Sequence, residues 1–389
     1  MKPMRRNVPS SITMSLDRQA KELAASGRDV INLTAGQVDL PVPQTAKDAV
    51  LAALEADRTG YVPAAGSADV IRAVRNGMGW TEGSVLISAG AKPLLSAAIA
   101  CIAGPGDEVL LPTPCYTSYP EMIRLADAVP VFIEGDPENR FAIPREALEN
   151  AVTVRTKALL FNNPVNPTGT VYRREELREI ADFCIKHDLW LIADEVYGTF
   201  VYDEPFVSLY ELSDVRDRLI LVNSASKAFA MAGLRLGYAV VPDAAASAIA
   251  GYLSHMLGCP CSLSERAAIA ALEGDAGYRS RLRETFRARR DALYPLIAAI
   301  PGLKVEESAG AFYLWLDIRG TGADDAAFCR GLLEREGVAL TPGSAFLRSG
   351  FVRLAYAQPE PVLKAAAERI KRYFAEAAAD QTPLSIKCE

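Results

Sequence analysis

Lys227 closes the run Ser224-Ala225-Ser226-Lys227, and Gly233 and Arg235-Leu236-Gly237 follow it. A lysine amine can form an imine with an aldehyde. Arg235, eight residues on, offers a planar two-pronged donor that suits a phosphate. The apolar run from Leu219 to Asn223 reads as a strand, which puts Lys227 at a strand end. An aldehyde and a phosphate on one small molecule describe pyridoxal phosphate, whose protein anchor is a lysine Schiff base. Alone, the stretch fits equally well a lysine at a strand terminus beside a surface arginine.

Three further segments bear on that choice. Asn163-Pro164-Val165-Asn166-Pro167-Thr168-Gly169 follows the apolar run Ala158-Leu159-Leu160-Phe161. Two Asn-Pro pairs and a glycine after a strand predict a rigid, extended turn that can hold the Asn166 amide against a ring hydroxyl. Leu189-Trp190-Leu191-Ile192-Ala193 reads as a buried strand that delivers Asp194-Glu195-Val196-Tyr197. A carboxylate at the C-terminal end of a strand in an α/β sheet points into the usual ligand crevice. There Asp194 can pair with a pyridinium nitrogen, and Tyr197 can reach the ring's phenolic oxygen. Asp194 alone would also fit a helix N-cap. The order Asn166, Asp194, Tyr197, Lys227, Arg235 favours the cofactor.

With these motifs the chain resembles the class I/II aminotransferases of pyridoxal phosphate (PLP) fold type I, most closely the bacterial aspartate aminotransferase subgroup. The resemblance spans nearly the whole length. It also rests on Leu33-Thr34-Ala35-Gly36, Tyr61-Val62-Pro63-Ala64-Ala65-Gly66, Ser88-Ala89-Gly90-Ala91-Lys92, Pro105-Gly106-Asp107-Glu108-Val109, Gly310-Ala311-Phe312-Tyr313 and Val352-Arg353-Leu354. It implies that Lys227 anchors the cofactor and then serves as general base, and that Asp194 pairs with the pyridine nitrogen. Asn166 and Tyr197 would bond the ring oxygen, and Tyr116 would stack on the ring. Gly90, Ala91 and Lys92 open a helix whose amides would cradle the phosphate, with Ser224, Ser226 and Arg235 completing the cup. Tyr61 matches a tyrosine that reaches the phosphate across a dimer interface, so a homodimer with shared sites is implied. Arg353 matches the arginine for the substrate α-carboxylate, and Gly36 would add a backbone contact to it.

Composition is that of an ordinary soluble globular protein. Of 389 residues, 50% are apolar and 23% charged, enough chain for two domains with sizeable cores. A net charge of −6 argues against a nucleic-acid partner, which would need a basic face. No apolar run approaches the roughly 20 residues that span a bilayer, and the N-terminus shows no signal-peptide pattern. Seven cysteines, an odd count, read as free thiols in a reducing compartment, hence the cytoplasm. Cys259-Pro260-Cys261 has no second Cys or His pair behind it and reads as packing rather than a metal site.

Strand-like runs alternate with helix-like segments from about residue 70 to 240: Val85–Ser88, Glu108–Leu111, Val129–Ile133, Ala158–Phe161, Leu189–Ala193, Leu219–Asn223 and Tyr238–Val241. That alternation predicts an α/β fold with a mostly parallel, mixed sheet between helices. Beyond residue 260 come a charged helix over Arg279–Ala299, strands at Ala311–Leu316 and Phe351–Ala357, and helices near Asp324–Glu336 and Pro361–Ala378. These read as a smaller α+β domain. The expected division is a large PLP-binding domain over 41–270 and a small domain from 1–40 with 271–389. Residues 380–389 read as a disordered tail.

Substrate choice is less sharply written. By the resemblance, Lys92 can meet a distal carboxylate, with Ser11 and Thr13 beside it, which favours a dicarboxylic amino acid such as aspartate or glutamate. Lys92 would otherwise be a solvated lysine at the mouth. His255 falls in a region that faces substrate in relatives, yet also fits a structural role; His187 reads as structural. Three features depart from the family. Gly36-Gln37-Val38-Asp39 lacks the usual proline, which predicts a relaxed loop. The Gly66–Gly90 segment is shorter, and Gly258-Cys259-Pro260-Cys261 replaces a polar run. A specialised PLP enzyme performing elimination, γ-replacement, cyclisation or oxidation therefore stands as the alternative to transamination. A regulator reusing the fold would need a DNA-binding module, for which the first dozen residues leave no room.

Overall fold

The computed structural model describes residues 12–379. Its centre is a seven-stranded sheet in the spatial order Ser84–Ser88, Gly237–Val241, Leu219–Ser224, Trp190–Asp194, Thr156–Asn162, Glu108–Thr113, Val129–Glu134. Gly237–Val241 runs antiparallel to both neighbours, and all other pairs are parallel. Each predicted strand is present, with ends moved by one or two residues. Those runs were legible because both faces of the sheet are covered. Leu159, Phe161, Leu191, Ala193, Leu219 and Leu221 enter one core. The alternate residues Ala158, Leu160, Ile192, Ile220 and Val222 enter another on the opposite face.

A second unit is built on a four-stranded antiparallel sheet, Thr341–Pro342, Phe351–Ala355, Tyr313–Asp317 and Lys304–Val305. Helices Tyr278–Ala298, Asp325–Glu336 and Glu360–Ala379 accompany it. The short strand Ile31–Asn32 pairs in parallel with Val338–Ala339, which ties the N-terminal segment to this unit. The core here includes Ile31, Leu33, Val38, Phe286, Phe312, Leu354 and Tyr356, together with Val196, Tyr197, Phe200 and Tyr202. The chain just past Asp194 is thus packed into the second unit's core. That arrangement sets one wall of the crevice against the other. The predicted tail at 380–389 lies outside the described residues.

Candidate active site

Two parallel strands end side by side at the crevice. Trp190–Asp194 pairs with Leu219–Ser224, with Asp194 opposite Val222. Asp194 and Lys227 therefore leave the same sheet edge, and both line one cavity of about 320 Å³. Gly36, Ala91, Lys92, Tyr116, Asn166, Tyr197, Ser224, Ser226, Arg235 and Arg353 line it as well. Of the predicted residues, Gly90 is adjacent, and Tyr61 stands outside the cavity, fully exposed.

Asp194 is buried. Its Oδ2 accepts a 2.8 Å hydrogen bond from the Tyr119 hydroxyl, and its Oδ1 accepts from the Val196 amide at 3.1 Å. No helix directly follows Asp194, so through the Val196 amide it closes a turn rather than capping a helix. Burial raises its pKa from 3.8 to about 6, against the opposing pull of Tyr119, the Val196 amide and Lys227. Lys227 is driven the other way, to about 8, first by desolvation and then by the cations Arg353 and Arg235. Its Nζ donates to the Gly36 carbonyl.

The Asn163–Gly169 segment is a closed turn rather than the extended one expected. Val165 N–H bonds the Thr170 carbonyl, and Gly169 N–H bonds that of Val165. The Asn166 backbone N–H donates to the Asn162 side-chain oxygen at 2.9 Å, which fixes the turn there. Asn166 Oδ1 accepts from Arg353 Nη1 at 2.9 Å, and Arg353 Nη2 donates to the Thr34 carbonyl at 2.6 Å. The guanidinium carbon lies 4.4 Å from the Tyr313 ring centre and 4.7 Å from that of Phe346. Arg353 is 3% exposed, its Nε lacks a partner, and among the described residues no carboxylate pairs with it. A buried charge left so costs stability unless a counter-ion arrives.

The phosphate side differs from expectation in detail. Gly90, at φ 100°, caps the helix Ala91–Ile102, but its amide already bonds the Ser88 carbonyl. Its contribution is space: a Cβ there would stand 2.4 Å from Arg235 Nη2. The Ser224 hydroxyl donates to the Leu236 carbonyl at 3.1 Å and accepts the Ser226 amide at 2.9 Å. That leaves the helix-start amides at Ala91 and Lys92, the Ser226 hydroxyl and the Arg235 fork for an anion. Arg235 bonds the Ala232 and Ala89 carbonyls and has no carboxylate partner among the described residues.

Lys92 stands 5.2 Å from the Tyr116 ring centre and likewise lacks an ion pair among the described residues. Thr13 lines the cavity; Ser11 lies outside the described residues. His255 is exposed and does not line the cavity. His187 Nε2 meets Glu149 Oε2 at 2.9 Å, a structural contact. The loop Gly36–Asp39 is pinned, not relaxed. Val38 is buried, and Asp39 accepts both prongs of Arg289 at 2.6 and 2.8 Å. Cys261 is exposed and Cys259 half-buried, so the pair is not core packing.

Sequence reasoning missed Tyr119, Tyr313 and Thr34. The Tyr313 hydroxyl lies 2.7 Å from that of Tyr197. It also leaves no room for a side chain at residue 36, where a Cβ would sit 2.0 Å from it. A pyridoxal phosphate fits this set: an amine, a buried carboxylate for the ring nitrogen, and an arginine beside a helix start for the phosphate.

Comparison with known proteins agrees. Residues 28–370 match the aminotransferase class I and II family. Aspartate aminotransferase of Geobacillus stearothermophilus is 38% identical over 94% of this chain and 96% of its own length. An aspartate/prephenate aminotransferase of Cereibacter sphaeroides is 36% identical, covering 95% and 97%. The solved aspartate aminotransferase of Thermus thermophilus with maleate superposes with a TM-score of 0.91 at 35% identity, over 96% of this chain and all of that one. The chain belongs to the class I and II aminotransferases, enzymes that depend on pyridoxal phosphate.

Proposed function

We propose that this aminotransferase prefers dicarboxylic amino acids, aspartate or glutamate, with 2-oxo acids as acceptors. Two cations in one cavity carry the reading: Arg353, a buried guanidinium with no carboxylate partner among the described residues, suits the α-carboxylate common to every amino acid. Lys92, with no ion pair among the described residues, offers a second positive charge in the same cavity, so two carboxylates on one substrate are matched. Relatives named aspartate aminotransferase support it.

When bound, the cofactor supplies the electron sink that makes the substrate Cα–H acidic. Lys227 would anchor it and, once displaced, take the Cα proton at Nζ. An amine lowered to about 8 has a usable neutral fraction at neutral pH. Asp194 would keep the ring nitrogen protonated, held in place by Tyr119. Asn166 and Tyr197 would meet the ring oxygen, and Tyr116 the ring face. Arg353 would orient the substrate so that its Cα–H faces Lys227.

We assign residues 41–270 to the cofactor-binding domain and 12–40 with 271–379 to the small domain. A cytoplasmic homodimer completes the proposal. Tyr61 is fully exposed, and Ile12, Met14, Tyr252, Met256 and Leu257 present further exposed apolar surface. No described helix is long and apolar enough to cross a membrane. A half-reaction screen tests the substrate reading: aspartate and glutamate should bleach the bound cofactor's visible absorbance fastest. Faster bleaching by neutral amino acids would refute it. Sedimentation of the holoenzyme as a monomer would refute the dimer.

A further inference from the structure

A second hollow, of about 290 Å³, shares no lining residue with the active site but adjoins it along the chain. Its lining residues Gly198, Asn223 and Ala228 directly follow or precede Tyr197, Ser224 and Lys227. Its polar walls are Thr199, Asn223, Tyr238, Arg279, Ser280 and Arg283, and among the described residues no carboxylate lines it.

The arginines of helix Tyr278–Ala298 divide sharply by partner. Arg281 pairs with Asp275, Arg287 and Arg290 with Asp203, and Arg289 with Asp39. Arg279 and Arg283 pair with no carboxylate among the described residues. They are four apart, on one side of the helix, and both line the hollow. The helix start, with its partial positive charge, lies among them.

Tyr238 adds an independent observation. It is 1% exposed, it lines the hollow, and its hydroxyl has no hydrogen-bond partner among the described residues. Asn223 Oδ1 accepts the Ser224 amide at 2.7 Å, which leaves Nδ2 as its uncommitted end. Two guanidinium forks with phenol, hydroxyl and amide donors match a tetrahedral oxyanion, which accepts on several oxygens at once.

We infer that this hollow binds a small phosphate-type anion, free or as a monoester, distinct from the cofactor's own phosphate. An anion there bridges the first turns of the Tyr278–Ala298 helix and the strand end that carries Lys227. It is thereby placed to bias the relative setting of the two units.

The test is calorimetry on holoenzyme saturated with pyridoxal phosphate, so that the cofactor's phosphate cup is filled. Inorganic phosphate is titrated in one arm and glycerol 3-phosphate in another, at constant ionic strength in chloride. Wild type should show one saturable event per chain, and tighter binding of the ester would assign the ligand to monoesters. The double variant Arg279→Gln/Arg283→Gln should weaken it at least about tenfold, the scale of one lost charge-assisted hydrogen bond. Tyr238→Phe should weaken it less, and Arg353→Ala should leave it intact. Absence of a saturable event, equal affinity in the double variant, or loss of the event in Arg353→Ala would overturn the site. Should the double variant not fold, the exposed Arg283→Gln decides alone. Failure here leaves the amino-transfer reading untouched.

Discussion

The Tyr119 hydroxyl donates a 2.8 Å hydrogen bond to Oδ2 of Asp194, inside a pocket where both residues are almost fully buried. The bond opposes the desolvation that pushes Asp194 up to about 6. Its other oxygen is taken by the Val196 amide. The carboxylate is thus oriented before any ligand arrives.

Tyr119→Phe removes that support and leaves the ring in place. The Asp194 carboxyl should titrate higher, weakening its charge pairing with the cofactor nitrogen. We expect kcat to fall about tenfold or more, with the larger loss at pH 6 than at pH 8. Steady-state rates across that range check it; an unchanged rate at both pH values would remove Tyr119 from the site.

Asp194 also carries a stability signature. Its folded pKa is raised, from 3.8 to about 6, so the folded state binds the extra proton. Stability from this group is therefore full below about pH 4 and lost as pH rises through 6. Charged at pH 8, it costs roughly 3 kcal/mol. Asp194→Asn apoenzyme should resist urea better than wild type at pH 8, with the advantage shrinking toward pH 4. The same variant, loaded with cofactor, should lose at least about two orders of magnitude in rate. Equal urea midpoints at pH 8 would contradict the first expectation.

Arg353 and Lys92 should separate by substrate. Arg353→Ala should raise KM for every amino acid, since each carries an α-carboxylate. Lys92→Ala should weaken only substrates with a distal carboxylate, by about 10- to 150-fold in kcat/KM, one charge-assisted bond of roughly 1.5–3 kcal/mol. Equal losses for aspartate and for a neutral amino acid would contradict the assignment of Lys92.

The sheet was legible because its strands are buried on both faces, and continuous apolar runs such as Leu219–Val222 mark that situation. Asp194 and Lys227 were legible because polar residues at the ends of such runs stand out. Tyr119 and Tyr313 were not, since a core aromatic and a site aromatic look alike in sequence, and their hydroxyl partners lie 75 and 116 residues away. The loop at Gln37-Val38 was misjudged for a related reason. Its stiffness comes from Arg289, 250 residues distant from Asp39. At Ser224, local sequence does not reveal that the hydroxyl donates to the Leu236 carbonyl.

The central claim is that Lys227 holds the cofactor, and borohydride reduction tests it most directly. Reduced holoenzyme is digested and the pyridoxyl-bearing peptide sequenced, in parallel with Lys227→Ala. The label should fall on Lys227 in wild type. The variant should bind cofactor without covalent attachment and lose about three orders of magnitude or more in turnover. A label on any other lysine in the wild-type enzyme would contradict the account.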